Sequence, residues 1–343
     1  MNARSKNRLM LVTGALVLAI LACQGTKSAP TPTGPAAVPT SVPPQATSVP
    51  TQNSDVPAVL SLKPIDTEGD VDSSSMATAK GISGGDAFVQ GLYERPFNAN
   101  TMDKYFPYLD IVQIKGYKDD TWSYLEITLA GTDKNGKLPA QYAAELDLNK
   151  DGRGEWLIRA SNPSTTSWST QGVQVWKDTD GDVGGAKAMV ADTNLSSGDG
   201  YETLVFDQGK GDTPDGAWAR ISPDDPKTVQ IVFKLSMVGN PDSFAMGAWA
   251  EDKIDPSRFD YNDRMTHAQA GDPNQANPQV YPIKDLAEVD NSCRLAINFV
   301  PTSVVPGLCE VPQVVHPGGG GCPAGKTYVC SGGIAAMVSC GCK

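Results

Sequence analysis

The sequence predicts an all-β protein, an antiparallel β-sandwich of about nine strands, on three observations. Residues 109–250 contain short runs in which apolar and polar residues alternate, as in the run Leu125-Glu126-Ile127. Clusters of Asp, Asn, Gly and Pro separate these runs, and no long helical repeat lies between them. A segment of this length can bury one good core. Together these features are typical of two antiparallel sheets packed face to face.

Nine runs in this region are predicted to be strands. Alanine-rich surroundings place Trp218 and Trp249 in the core. Upstream, residues 88–93 are predicted to form either a first strand or a strap on the core. The nine predicted strands are residues 109–115, 122–130, 141–148, 155–160, 172–177, 201–207, 217–221, 228–235 and 244–250.

The start of the chain has the pattern of an export signal, assigned to residues 1–23. Three basic residues precede an apolar run, residues 9–21, that is too short to span a bilayer with ease. The run ends in Leu21-Ala22-Cys23, which resembles a bacterial lipobox. That resemblance implies lipidation of Cys23 and an exported protein, anchored to the bacterial membrane and facing the extracellular side. Ordinary signal cleavage and an uncleaved anchor are the alternatives.

A linker is predicted for residues 24–57, which contain eight prolines among Thr, Ser, Ala, Val and Gln. Such a composition cannot bury a core and favours an extended, disordered stalk. The sandwich with its loop-rich flanks is then assigned to residues 58–289, and a small cysteine-rich module to residues 290–343.

Composition excludes some classes of function. The net charge is −11, and −14 without the first 23 residues, which argues against nucleic acid as a partner. His267 and His316 are the only histidines, so a His-rich zinc site is excluded, and we expect both to be ordinary loop residues. The membrane is expected as a partner only through the lipid anchor.

An acidic turn between two predicted strands is the first candidate metal site. Asp147, Asn149 and Asp151 alternate with other residues, and a glycine, Arg153 and Glu155 follow. Oxygen ligands at every second position, with a backbone carbonyl near Arg153, can converge on Ca²⁺. The pattern resembles the first half of an EF-hand or dockerin loop, but its twelfth position is an isoleucine, and the flanks alternate as strands do. A hairpin turn built of Asp, Asn and Gly without an ion is the alternative.

A second acidic turn repeats the pattern with Asp178, Asp180 and Asp182. The same two interpretations apply to it, a structural calcium site or turn chemistry alone. We therefore expect Ca²⁺ as a structural cofactor of the sandwich.

The C-terminal region carries six cysteines, an even number in an exported chain, which predicts disulfides. A Pro/Gly-rich break at residues 317–321 divides them, so we expect a bridge between Cys293 and Cys309 and two bridges among the other four. Metal chelation by the cysteines is the alternative. The other four cysteines are Cys322, Cys330, Cys340 and Cys342.

The order of features across residues 109–250 resembles the DOMON-like and family-9 carbohydrate-binding-like β-sandwiches. The likeness rests on an aromatic strand at residues 122–126, a strand ending in an acidic loop at 145–147, Trp156, and residues 175–178. It implies binding of sugar or haem, or the role of an accessory domain. Haem ligation in that group uses Met and His, and this region has no histidine, so haem is set aside.

Three functions remain, and no catalytic motif was found, so we expect a binding protein and not an enzyme. The first is binding of polysaccharide or another surface polymer, with Trp122, Tyr124, Trp168 and Trp176 as candidates for stacking on sugar rings, because we expect them on exposed strand faces or loops. Core packing is the alternative for each of them. The second is a structural or adhesive protein that contacts other proteins. The third is a glycoside hydrolase with a carboxylate pair. An aromatic strip on one sandwich face favours sugar.

Overall fold

A computed structural model describes part of the chain. The predicted signal peptide with Cys23, most of the predicted linker, and Cys322 lie outside the described residues, and for Cys330, Cys340 and Cys342 only backbone strands are described. The described residues are 55–58, 60–79, 81–82, 85–183, 198–259, 261–271, 283–301 and 305–309, with the backbone of 328–331 and 339–342.

In the described part of the chain, thirteen strands form two antiparallel sheets, and two more pair with each other near the C-terminus. The strands are β1 (Asp66–Gly69), β2 (Glu94–Arg95), β3 (Ile111–Lys118), β4 (Trp122–Leu129), β5 (Gln141–Asp147), β6 (Trp156–Ser161), β7 (Val173–Lys177), β8 (Thr203–Asp207), β9 (Ala217–Ile221), β10 (Thr228–Lys234), β11 (Phe244–Glu251), β12 (Val289–Asn291), β13 (Leu295–Ile297), β14 (Tyr328–Ser331) and β15 (Ser339–Cys342).

The first sheet has the strand order β1-β3-β4-β10-β9, and the second has the order β2-β12-β11-β5-β6-β7-β8, with β13 also paired to β11. Leu125, Ile127 and Leu129 of β4 are fully buried, as their alternation predicts. With Ile158 and Val175 from the second sheet they belong to one cluster, the sandwich core. The predicted all-β sandwich is confirmed.

All nine predicted strands are present, with ends that differ by at most three residues. The strands that sequence reasoning missed are short: β2 has two residues and β12 has three. Such segments carry too few residues to show an alternation. The predicted division between residues 289 and 290 falls inside β12, and β12 and β13 both pair with β11.

Helical elements in the described part of the chain are short. Three α-helices, α1 (Met76–Ala79), α2 (Tyr261–Arg264) and α3 (His267–Ala270), have four residues each. Three 3₁₀ turns span Phe88–Gln90, Leu235–Val238 and Pro256–Arg258. Where we expected a strand or strap, Phe88 thus opens a 3₁₀ turn and is fully buried. Among the described residues, no helix has the length and apolar character needed to cross a bilayer.

Each sheet also buries aromatic residues on its outer face. On the first sheet, Tyr117, Trp122, Tyr124 and Val232 form a cluster, which we call the outer aromatic cluster, and half-buried Trp218 packs against it. Trp218 is therefore not in the sandwich core, contrary to the prediction, because it points outward from β9. Trp249 is buried, but in the cluster on the outer face of the second sheet.

The disulfide predicted between Cys293 and Cys309 is present. Cys293 follows β12, and Cys309 lies beside the sandwich core, so the bridge fastens the segment after β13 back onto the sandwich. The backbone of Arg294 strengthens this contact, since its N–H donates to the Gly307 carbonyl at 2.7 Å and its carbonyl accepts from Cys309 N at 2.8 Å.

Candidate functional site

Both predicted acidic turns lie at the same end of the second sheet. β5 and β7 flank β6 and are both antiparallel to it, so the turn after β5 and the turn after β7 are neighbours. The Arg153 guanidinium of the first turn donates a hydrogen bond to the Val183 carbonyl of the second. In addition, Asp178 N donates to the Glu155 carbonyl at 3.1 Å.

The first turn is built around Asp147, whose side chain is fully buried. Its Oδ1 accepts hydrogen bonds from Lys150 N at 2.5 Å and Asp151 N at 3.2 Å, and its Oδ2 accepts from Gly152 N at 2.8 Å. Three backbone donors thus replace the water that this carboxylate loses on burial. Gly152 has a φ of +96°, and a Cβ there would lie 2.5 Å from the Pro306 Cβ, so the turn requires glycine.

The structure brings together three of the five residues predicted for the first metal site. Asp147, Asp151 and Glu155 each offer a carboxylate oxygen within 4.8 Å of the other two. Burial, followed by the nearby carboxylates, raises the pKa of Glu155 to about 7. Asn149 turns its amide toward Asp151, donating to Oδ2 at 3.1 Å. Ile158, at the position where an EF-hand carries its last acid, is fully buried in β6, so the turn closes a β-hairpin.

The second turn repeats this construction. Asp178 is buried, its Oδ1 accepts from Asp180 N at 3.2 Å and Gly181 N at 2.7 Å, and its Oδ2 accepts from Val183 N at 3.0 Å. Asp182 faces another segment, since Asp199 N donates to its two oxygens at 3.2 and 3.1 Å. The two turns therefore share one plan, in which the first Asp holds the backbone of its own turn.

Two acidic residues that sequence reasoning missed complete the second turn. Asp178 and Asp180 share a cluster with Glu202, and Asp180 and Asp182 share another with Asp199. The Glu202 Oε2 atom is buried without a hydrogen-bond partner among the described residues. Desolvation and the neighbouring carboxylates raise the pKa of Asp180. The run Gly198-Asp199-Gly200, with an acid two residues later, was the available sequence signal.

Each turn groups carboxylate oxygens of three residues, and oxygen is the ligand type that a hard cation prefers. Carboxylates already held by backbone N–H groups keep free lone pairs for an ion, so the hydrogen bonds of Asp147 and Asp178 are compatible with either interpretation of the turns.

The aromatic residues predicted to bind ligand are found in two places. Trp122 and Tyr124 lie on the outer face of the first sheet, but only 7% and 2% of their surfaces are exposed, so the prediction that they are exposed is wrong. Trp168 lies beside them, with its ring centroid 6.3 Å from that of Tyr124. Trp176 is half-buried on the outer side of the second sheet, away from the other three.

The N-terminal residues of the described chain explain why Trp122 and Tyr124 are buried. Leu60 packs on the outer aromatic cluster, and the Ala58 carbonyl accepts a hydrogen bond from Trp168 Nε1 at 3.3 Å. Asp55 forms an ion pair with Lys234 at 3.3 Å, and its N–H donates to Asp215 Oδ2 at 2.9 Å. The last residues of the predicted linker therefore contact the sandwich.

A polar cleft of about 320 Å³ opens between the loop after β6 and the strand β9. Arg220 lies at its wall, largely buried, with its Cζ 4.1 Å from the ring centroid of Trp168 and its Nε donating to Gln230 at 2.7 Å. The cleft was not predicted, since its residues come from three separate segments. It is lined by Ala160, Ser161, Asn162, Pro163, Ser164, Thr165, Ser169, Gln171, Gly172, Gln208, Ala219 and Arg220.

A second cleft, of about 500 Å³, lies beside the disulfide and has a more apolar lining. Ile65 and Val300 line it, with exposed fractions of 39% and 79%, together with Phe299. Its polar residues include Asp66, whose Oδ2 accepts from Ala296 N at 3.1 Å. The two clefts thus differ in chemistry, one rich in amides and hydroxyls and one carrying exposed aliphatic groups.

One buried acid on the second sheet has the surroundings of a structural residue. Glu145 accepts hydrogen bonds from Tyr201 Oη at 2.8 Å, from Trp249 Nε1 at 3.0 Å, and from the Arg294 guanidinium at 3.0 Å. Three donors occupy its oxygens, and Arg294 balances its charge. This arrangement ties β5 to the segment before β8, to β11 and to the segment after β12.

No protein-family model matches the chain, and no significant match was found among curated proteins or solved structures. Assignment of a function therefore rests on the geometry of the turns and clefts alone.

Proposed function

We propose that the protein is a surface-tethered, calcium-stabilised binding module for polysaccharide, and that the polar cleft beside Trp168 is its ligand site. One observation carries this proposal: a guanidinium stacked on an indole ring faces a cleft in which most of the other lining side chains are amides and hydroxyls. Sugar rings present many hydroxyl groups, each a donor and an acceptor. Side chains such as Asn162, Gln171 and Gln208 can meet both needs at once.

Trp168 has a different role in this proposal from the one predicted. Arg220 occupies one face of its ring at 4.1 Å, so that face is not available to a sugar. The contact holds the guanidinium by a cation–π interaction, and the bond from its Nε to Gln230 fixes its direction. Trp168 thus positions Arg220, which presents its remaining N–H groups to the ligand.

The tether in this proposal is inferred from the sequence, and the bound calcium is inferred from the two acidic turns. A lipidated Cys23 and a proline-rich linker would hold the sandwich outside the bacterial membrane. In that medium, the turns at Asp147 and Asp178 would bind Ca²⁺ and stiffen the end of the second sheet. The polar cleft opens between strands of both sheets, so its shape depends on the integrity of the sandwich.

A glycan-array screen of the purified chain, with calcium and again with chelator, tests this function. We expect binding to one class of polysaccharide, and a loss of at least about tenfold in affinity for Arg220→Ala and for Gln171→Ala, about 1.4 kcal/mol. Asn298→Ala, in the second cleft, is the matched control and should bind as wild type does. Binding that survives Arg220→Ala would contradict the proposal. Release of sugar from a bound glycan would instead indicate a glycoside hydrolase.

A second candidate function is a structural or adhesive contact with other proteins through the second cleft. The observation that favours it is the exposure of Val300 and Ile65 around this cleft, because exposed aliphatic groups favour protein contacts over sugar. Val300→Asp should then weaken adhesion of cells that display the protein to a protein-coated surface, whereas Arg220→Ala should not. The reverse pattern would support the polysaccharide site.

A further inference from the structure

A third group of carboxylates lies apart from the two turns, deep between the edges of the two sheets. Glu94 belongs to β2 and Asp290 to β12 of the second sheet, and Asp110 directly precedes β3 of the first. Asp110 and Asp290 are 0% exposed and Glu94 is 2% exposed. Each of the three offers a carboxylate oxygen within 4.8 Å of the others. We call these residues the inter-sheet carboxylates.

Neutral donors hold one oxygen of Asp110 and one of Asp290. Asp110 Oδ2 accepts from Ser73 N at 3.0 Å and from Tyr105 Oη at 2.5 Å. Asp290 Oδ2 accepts from Ile111 N at 2.6 Å. These bonds fix the rotation of both carboxylates, so the position of each remaining oxygen is also set.

The remaining oxygens have no hydrogen-bond partner in the described part of the chain. Asp110 Oδ1 and Asp290 Oδ1 are buried and unpartnered, and so is Oδ2 of the adjacent Asp70. Glu94 accepts only from Ser73 Oγ, at 2.5 Å, in the described bonds. Buried polar atoms without partners are rare in folded proteins, since each costs the free energy of its lost hydration.

No lysine or arginine among the described residues forms an ion pair with the inter-sheet carboxylates. The nearest arginine in sequence, Arg95, points the other way along β2 and binds Asp86 at 2.9 Å. Buried negative charges without a cation repel one another strongly. A bound cation would relieve this repulsion, as would protonation of the carboxylates.

We propose that Glu94, Asp110 and Asp290, with Asp70 beside them, form a binding site for a divalent cation, with Ca²⁺ as the occupant. All the ligands are carboxylate oxygens, which suit a hard cation, and no cysteine or histidine belongs to the group, so Zn²⁺ is disfavoured. Ca²⁺ accepts six to eight oxygens in flexible geometry, which fits four carboxylates from four segments. The ion would join β2 and β12 to the start of β3, and so would fasten one sheet to the other.

Protons are the competing occupants of this space. Burial raises the pKa of Glu94 to about 10 and that of Asp290 well above its ordinary value, and neighbouring carboxylates act in the same direction. A cation that binds here must displace those protons, so binding releases protons and strengthens as pH rises. Proton release on addition of calcium distinguishes a calcium site from a site that holds only protons. A site of the second kind takes up no metal and therefore releases no protons.

Native mass spectrometry of the purified chain in calcium tests the proposal by counting bound ions. The Asp110→Asn, Asp290→Asn double variant should bind one ion fewer than wild type. The Asp147→Asn, Asp151→Asn variant, altered in the first turn, should keep the inter-sheet ion whether or not the turn binds another. An unchanged count in the inter-sheet variant would overturn the proposal. Because the outcome does not depend on glycan binding, it stands or falls separately from the proposed function.

Calorimetry adds a second measurement, the number of protons released when calcium binds. This number would not change in the variant if the carboxylates had only a structural role. Calcium titrations in two buffers with different heats of protonation should show proton release for wild type and a smaller release for the double variant. If the double variant fails to fold, Asp70→Asn, beside the site, serves in its place, and its affinity for that ion should fall about tenfold or more. Equal proton release in wild type and variant would contradict the site.

Discussion

Asp147 in the first turn and Asp290 among the inter-sheet carboxylates are both fully buried, but they accept different numbers of hydrogen bonds. Three backbone N–H groups meet the two oxygens of Asp147, and all three come from the next five residues. Asp290 receives one donor, from Ile111, and its other oxygen has none among the described residues. A local turn can supply donors to its own carboxylate, whereas a cluster assembled from distant segments depends on a proton or an ion.

The pH dependence of stability separates the two regions most strongly. A carboxyl whose pKa is raised in the folded protein stabilises it below the unfolded pKa, and that contribution is lost as pH rises through the folded value. For Glu94 the window runs from about 4.5 to about 10. For Asp70 and Asp110, burial first and then the neighbouring carboxylates raise the pKa to about 7 and about 6, respectively.

We therefore expect the calcium-free protein to lose stability as pH rises from 5 to 8. One retained proton corresponds to about 1.4 kcal/mol per pH unit, so Glu94 alone contributes a loss of about 4 kcal/mol over this range. The charged groups facing the cluster are acidic too, since Asp72 and Asp86 also act on it. Urea unfolding at each pH measures the effect. Calcium should flatten the dependence, and a chelated protein with constant stability would show that these carboxyls do not hold protons.

Asp147→Ala should produce the next largest loss, about 3 kcal/mol, because three partly buried backbone donors would lose the fully buried carboxylate that accepts from them. Urea unfolding with chelator present measures the turn without any ion. Asp133→Ala is the matched control, since Asp133 Oδ1 accepts from Asn135 N and Lys137 N at 2.8 Å each in an exposed turn. Water can replace the carboxylate there, so we expect a clearly smaller loss. Equal losses would mean that burial does not distinguish the two turns.

Gly152→Ala should cost about 2 kcal/mol, as the first turn would acquire both backbone strain and a clash. Gly136→Ala is the control, because Gly136 also has a positive φ, +71°, but has no atom within 4 Å of its missing Cβ. The difference between the two melting temperatures then reports mainly the clash of the added Cβ at residue 152 with Pro306. A Gly152→Ala variant as stable as Gly136→Ala would show that residue 306 moves aside freely.

Asp180→Asn should have the smallest effect on the calcium-free protein. Asp180 is exposed, and it lies among the acidic residues Asp178, Asp182, Asp199 and Glu202, so removing its charge relieves repulsion. We expect an unchanged or slightly raised melting temperature in chelator, and a weaker stabilisation by calcium than in wild type. An identical calcium response in both proteins would indicate that the second turn binds no ion.

The features that could be predicted from the sequence are those that depend on a pattern of consecutive residues. Alternation gave all nine main strands, and spacing of Asp, Asn and Gly gave both turns. The missed features are assembled across the chain: Glu202 approaches the second turn from β8's side, and Asp110 meets Asp290 from the other sheet. Trp122 and Tyr124 were predicted to be exposed, because nothing in their own strand shows that Leu60 packs over them.

The contact of residues 55–60 with the outer face of the first sheet has a practical consequence for solubility. A chain shortened to begin after Leu60 would lose the group that packs on the outer aromatic cluster, and also Asp55, one of the two acidic partners of Lys234. The uncovered aromatic surface would be contiguous, and such surfaces drive self-association. A chain that keeps Asp55 should remain in solution at concentrations where the shortened chain aggregates. The part of the chain that packs on the sandwich therefore includes the end of the predicted proline-rich linker.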